Sequence, residues 1–220
     1  MCGIFGIISE REINLGHLRK LAFHARQRGR DSSGLIFYNN DAYKIKRADY
    51  DIKQLLNKQR RLRSSIVMGH SRLITNGLSD NQPVVRDSIC IIHNGIVVND
   101  EDVWTALDVE RCFQIDSEVI VGVAVNHLKK GGGLEDLSKE ILTKCKGTIA
   151  CALAIPGSGK VLLFSNNGSL YAGKNNGDSY FASERYPLEL LSCSDIIQIW
   201  QKGLLIDIPK TIKINIDDDN

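Results

Sequence analysis

The chain has 220 residues, 43% of them hydrophobic, with 28 lysines and arginines set against 26 aspartates and glutamates. That balance suits one large domain with a substantial core, and a net charge of +2 is too near neutral to point to a nucleic acid or membrane surface. No run approaches the roughly 18 apolar residues of a membrane span, and no basic-then-apolar leader precedes the first apolar stretch, so a cytoplasmic protein is expected.

In chain order the first feature is Cys2, ahead of the strand-like run GIFGII at 3–8. If Met1 is removed, Cys2 carries a thiol and a free α-amine. An α-amine titrates at about 7.7–8.0, so part of it is an unprotonated base at neutral pH. Thiol and base on one residue make a self-contained nucleophile. A helix is expected over 14–28, with Asn14 as its N-cap and Leu15, Leu18, Leu21, Ala22 and Ala25 on one face. Strand-like runs follow: GLIFY, AYKIK, SIVMGHS, SICIIHNGIVV, TIACALAI, VLLFS, SYFAS, and IIQIW to LLIDI. Turns such as NND, PGSGK and NNG between them suit antiparallel hairpins. Two further helices are expected over 117–130 and 134–146, separated by the glycine triplet 131–133. Hairpin-rich sheets with a few long helices predict an α+β layered sandwich.

Some motifs are ruled out. AIPGSGKV at 154–161 resembles a phosphate loop, but Ala154 stands where the first glycine is required and Val161 where Ser or Thr is required. The six cysteines include no CxxC pair, and Cys90 and Cys151 sit in apolar runs that read as core. The five histidines form no metal-binding spacing, so neither metal nor cofactor is expected. The basic run KQRRLR at 58–63 reads as a solvated helix face.

Four stretches join Cys2: RGRDSSG at 28–34, GHSRLITNG at 69–77 with NQP at 81–83, HNG at 93–95, and IDSEVI at 115–120. In this order after CGIFG they resemble the class II glutamine amidotransferases, whose glutaminase domains are N-terminal-nucleophile hydrolases. The similarity runs from Cys2 to about residue 185 and is strongest to the glucosamine-phosphate synthase and amidophosphoribosyltransferase types. It implies a four-layer αββα sandwich of two antiparallel sheets flanked by helices, with residues 2–220 forming the glutaminase domain after removal of Met1.

The resemblance also implies roles. Cys2 attacks the side-chain amide of L-glutamine and forms a thioester. HNG lies in a tight turn, where the Asn94 side chain and the Gly95 N–H form an oxyanion hole. Arg72 pairs with the substrate α-carboxylate and Asp116 with its α-ammonium, and Thr75 and Asn76 lie in the loop lining the site. Arg28 and Gly29 pack near the nucleophile, where an arginine would lower the thiol pKa. Arg30, Leu73, Asn76 and Gln82 replace a tyrosine, a tryptophan and two histidines of the aminosugar synthases. Relatives pass ammonia to a fused synthase, so an ammonia-accepting domain or subunit is the expected partner, in amino-sugar or nucleotide-sugar biosynthesis. An N-terminal-cysteine amidase for another amide, or a catalytically silent glutamine-sensing module, remains open on the sequence.

Overall fold

Every residue of Gly3–Ile8 (β1) is buried, because the strand is covered on both faces. Ile4 and Ile8 enter one apolar cluster, whereas Phe5 and Ile7 enter another on the opposite side. This is the period-2 alternation of a central strand in a layered protein. The computed structural model describes residues 2–39, 42–59, 64–73 and 80–209.

After β1 come Leu15–Arg26 (α1), Ser32–Asn39 (β2), Ala42–Ala48 (β3), Ile52–Asn57 (α2) and Ile66–Arg72 (β4). Val84–Arg86 (β5), Ile89–Val97 (β6), Asp100–Thr105 (α3), Ser117–Lys129 (α4) and Leu134–Lys144 (α5) follow. Gly147–Ile155 (β7), Lys160–Ser165 (β8), Tyr171–Asn175 (β9), Asp178–Ala182 (β10), Tyr186–Leu190 (α6), Ser194–Gln198 (β11) and Leu204–Asp207 (β12) complete the order.

Seven strands form one antiparallel sheet in the order β11-β9-β10-β1-β4-β2-β3, and five form the other in the order β12-β8-β7-β6-β5. Between them lies a core of Ile4, Ile36 and Met68 from the first sheet and Cys90, Ile92, Ala150, Ala152 and Leu163 from the second. Leu18, Leu21, Leu55 and Leu188 of α1, α2 and α6 cover the outer face of the seven-stranded sheet. Val119, Val123, Leu137 and Ile141 of α4 and α5 cover that of the five-stranded one. The αββα sandwich expected from the resemblance is the fold observed.

The long helices form where apolar periodicity placed them. Asn14 accepts a hydrogen bond from the His17 N–H at 3.1 Å, capping α1 as expected. Gly131–Gly133 separate α4 from α5, and the 154–161 segment closes the β7–β8 hairpin around a single turn of 3-10 helix. Three short helices, α2, α3 and α6, escaped the sequence reading, as did strands β5 and β9. At three to six residues they are too short for periodicity to declare them. The basic run does not lie on a helix face where it is described: α2 ends at Asn57, one residue before it begins, and 60–63 lie outside the described residues. Among the described residues no helix is long and apolar enough to cross a membrane.

Candidate active site

Three of the predicted site residues converge at the start of β1. Pairing of Gly3 with Ser71 and of Ile4 with His70 puts Cys2 opposite Arg72 in the next row, and Ser32 of β2 pairs with Arg72 from the other side. The Cys2 Sγ–H donates to the Leu73 carbonyl at 3.6 Å. Arg28 donates from Nε to the Cys2 carbonyl at 2.9 Å and from Nη1 to Glu184 at 2.9 Å. Arg28 thus holds the backbone of Cys2. Gly29 is required here: a Cβ at that position would lie 2.4 Å from the Arg72 carbonyl carbon and from the Leu73 nitrogen.

The electrostatics correct one expectation. Burial pushes the Cys2 thiol above its ordinary pKa, and the Leu73 backbone, the amino-terminal charge and Arg72 oppose this without overcoming it. Arg28 does not depress it; the guanidinium that acts on the sulfur is that of Arg72. The Arg72 pKa is itself lowered by burial, while Cys2, Asp116, Asp80 and Asp31 favour its charge. Arg72 donates from Nη1 to the Asp80 carbonyl.

Asn94 and Gly95 do not lie in a turn. Both are inside β6, paired with Ala150 and Ile149 of β7. Gly95 has φ +150, and a Cβ there would sit 1.8 Å from the Thr148 carbonyl oxygen, so only glycine admits this approach of β7. The Asn94 side chain is fully buried, and neither its Oδ1 nor its Nδ2 has a hydrogen-bond partner. Leaving such a group unsatisfied costs about 1–3 kcal/mol, so a buried amide of this kind calls for a ligand.

Asp116 stands at the N-cap of α4 but does not cap it. Its Oδ2 instead accepts from the Val97 N–H at 2.8 Å, tying the helix to β6 two residues past Gly95. Its charge bears on both Cys2 and Arg72. The structure therefore brings Cys2, Arg28, Arg72 and Asp116 into one neighbourhood, with Asn94 and Gly95 on the facing sheet. Thr75 and Asn76 lie outside the described residues.

Sequence reasoning assigned no role to a set of buried polar groups around these residues. Gln82, His93 and Ser117 form a hydrogen-bonded cluster beside Asp116. His70, two rows behind Arg72 on β4, is fully buried, and neither ring nitrogen makes a well-formed hydrogen bond, although the His93 backbone favours its charged form. Burial, and then the charges of Arg72 and His93, drive its pKa from 6.5 to about 3, so it is a neutral imidazole. The only available signal was the polar character of GHSR and HNG within apolar strands. Among the described residues no cluster of His, Cys, Asp and Glu could hold a metal ion.

Residues 70–189 match the glutamine amidotransferase domain family. The glutamine–fructose-6-phosphate aminotransferase (isomerizing) of Brucella abortus is 28% identical over 218 residues, covering 92% of this chain and 34% of that protein. The enzyme of the same name from Salmonella typhi is 29% identical over 201 residues, 86% of this chain and 32% of that one. The chain therefore spans about a third of the length of these curated relatives. Among solved structures, the glutamine phosphoribosylpyrophosphate amidotransferase of B. subtilis superposes with a TM-score of 0.71 at 19% identity, over 97% of this chain and 51% of that one. A Pseudomonas aeruginosa protein described as a glutamine amidotransferase gives a TM-score of 0.57 at 15% identity, over 94% of this chain and 98% of that one.

Proposed function

The chain belongs to the glutamine amidotransferase family, an enzyme family, and on that premise we propose that it hydrolyses glutamine through Cys2 to glutamate and ammonia. The observation that carries this reading is the buried, unpartnered amide of Asn94 on the sheet facing the nucleophile. An amide hydrolase needs donors waiting where the oxyanion will form, and Asn94 Nδ2 with the Gly95 N–H supplies them.

The steps follow from the groups present. Removal of Met1 frees the Cys2 α-amine. That amine takes the thiol proton as sulfur attacks the glutamine side-chain carbonyl carbon. Asn94 and Gly95 hold the resulting oxyanion. The amine returns its proton to the departing nitrogen, the C–N bond breaks, and ammonia leaves behind a γ-glutamyl thioester. Water, deprotonated by the same amine, adds to the thioester; the C–S bond then breaks, and protonation of the sulfur restores the thiol. Arg72 fits the planar α-carboxylate and Asp116 the α-ammonium of the substrate. Arg28 keeps the Cys2 backbone in register for attack.

Ammonia would pass to a synthase domain or subunit. The relatives named for fructose-6-phosphate amination support a sugar-phosphate acceptor and a role in amino-sugar synthesis. A cytoplasmic setting suits the six free cysteines. Unrestrained hydrolysis would waste glutamine, so the isolated chain should turn over slowly and speed up with its synthase and acceptor present. Glutamate release measured with and without them tests the proposal. Release from a different amide would favour the alternative amidase, and glutamine binding without release would favour a sensor.

A further inference from the structure

We propose that Gln82 is a positioning residue for the oxyanion hole: its side-chain amide replaces a missing strand beside His93 and so fixes the Asn94–Gly95 segment. The functional consequence rests on the glutaminase reading above, whereas the geometry stands independently of it.

Strand β5 pairs Val84 with Ile91, Val85 with Cys90 and Arg86 with Ile89. Continuing that register outward puts Pro83 opposite Ile92 and Gln82 opposite His93. Ile91 and His93 turn their N–H and C=O groups towards β5 and Ile92 turns its own towards β7, so His93 is the next residue that this edge has to satisfy. The next row is completed by a side chain. Gln82 Nε2 donates to the His93 carbonyl at 3.0 Å, and Gln82 Oε1 accepts from the His93 N–H at 2.5 Å. A carboxamide presents a carbonyl acceptor and N–H donors, the same kinds of group as the main chain of a neighbouring strand, with one N–H to spare. Both edge groups of the residue before Asn94 are thereby satisfied by a side chain that is itself only 3% exposed.

The same amide reaches further. Its Nε2 also donates to Ser117 Oγ at 3.1 Å, and that hydroxyl faces His93 Nδ1 at 2.9 Å and Asp116 Oδ1 at 3.4 Å. On the other side, Asn81 Nδ2 donates to the Ser33 carbonyl at 3.1 Å, and Asn81 Oδ1 accepts from the Gln82 N–H at 2.8 Å. Asn81 is therefore anchored to the sheet of Cys2 and Arg72, and Gln82 to the sheet of Asn94. Two consecutive residues fasten the nucleophile's sheet to the oxyanion strand. The Asn94 amide has no partner of its own, so its direction depends on the backbone that Gln82 holds. A misplacement of about 1 Å in such a donor costs on the order of 100-fold in rate.

The test uses the whole protein with its synthase partner and two variants, Gln82→Leu and Gln82→Glu. Hydrogen exchange at the His93 amide is read by NMR, and glutamine kcat and KM are read kinetically. Gln82→Leu should accelerate His93 exchange and lower kcat by about 100-fold, with KM within about threefold. Gln82→Glu supplies a donor to the His93 carbonyl only when protonated. Its kcat relative to the parent should therefore rise as pH falls from about 7 towards about 5, a pH signature that loss of packing would not produce. Unchanged exchange and kcat in Gln82→Leu, an effect confined to KM, or a flat pH ratio for Gln82→Glu would each overturn the positioning role. If the parent releases no glutamate from glutamine, the glutaminase reading fails, and the exchange measurement alone decides whether Gln82 holds His93.

Discussion

Cys2 and Arg72 face each other across the antiparallel β1–β4 pair, one row beyond the pairing of Gly3 with Ser71. On the proposed function, the nucleophile and the substrate anchor would therefore share one sheet, with their separation set by strand register.

Arg72→Lys keeps the positive charge but loses the planar fork. Hydrogen bonds to charged groups are worth about 1.5–3 kcal/mol, which corresponds to a rise in KM of roughly 10–100-fold, with kcat changed by less than about threefold. Steady-state kinetics check this, and an unchanged KM would remove Arg72 from substrate binding.

The raised thiol pKa of Cys2 predicts its own pH dependence. Burial favours the neutral thiol, so the reactive thiolate is scarce at neutral pH and grows about tenfold per pH unit until the raised pKa is reached. Alkylation of Cys2 by a small neutral reagent, followed by peptide mapping, should keep accelerating past pH 9, the ordinary thiol value. A plateau below about pH 8 would mean a depressed pKa and an activated thiolate.

His70 gives a prediction for stability. Its pKa falls from 6.5 to about 3 on folding, so between those values the unfolded chain binds the extra proton. Stability contributed by the neutral buried ring is present above pH 6.5 and is lost as pH falls towards about 3, with a slope of up to about 1.4 kcal/mol per pH unit. Urea unfolding of the parent and of His70→Gln at a series of pH values isolates this contribution, because His93 is common to both. The parent should lose stability more steeply on acidification; parallel profiles would contradict it.

The two long helices α4 and α5 were legible to within two residues because apolar periodicity and a glycine triplet are local signals. HNG misled for a physical reason. Asn-Gly is a strong turn signal, yet Gly95 is needed for the close approach of Thr148, a residue 53 positions away that no local pattern reveals. The same holds for the grip of Arg28 on the Cys2 carbonyl and for the contact of Gln82 with His93, both made by folding. The family resemblance of the motifs sufficed to nominate Cys2, Arg72, Asn94 and Asp116. What they could not convey was burial, which raises the Cys2 pKa and leaves the Asn94 amide waiting.

The central claim is that Cys2, freed of Met1, is the nucleophile, and affinity labelling with an electrophilic diazo-ketone analogue of glutamine tests it most directly. Cys90 and Cys151 are fully buried with raised pKa values, and Cys145 and Cys193 are pushed up to about 12 and about 11. Cys112 is exposed, so protection by glutamine is what separates it from Cys2. Mass spectrometry should therefore find a single adduct on a peptide that begins with Cys2 and lacks Met1, and excess glutamine should protect against it. An adduct on another cysteine, or labelling of a peptide that still carries Met1, would contradict the account.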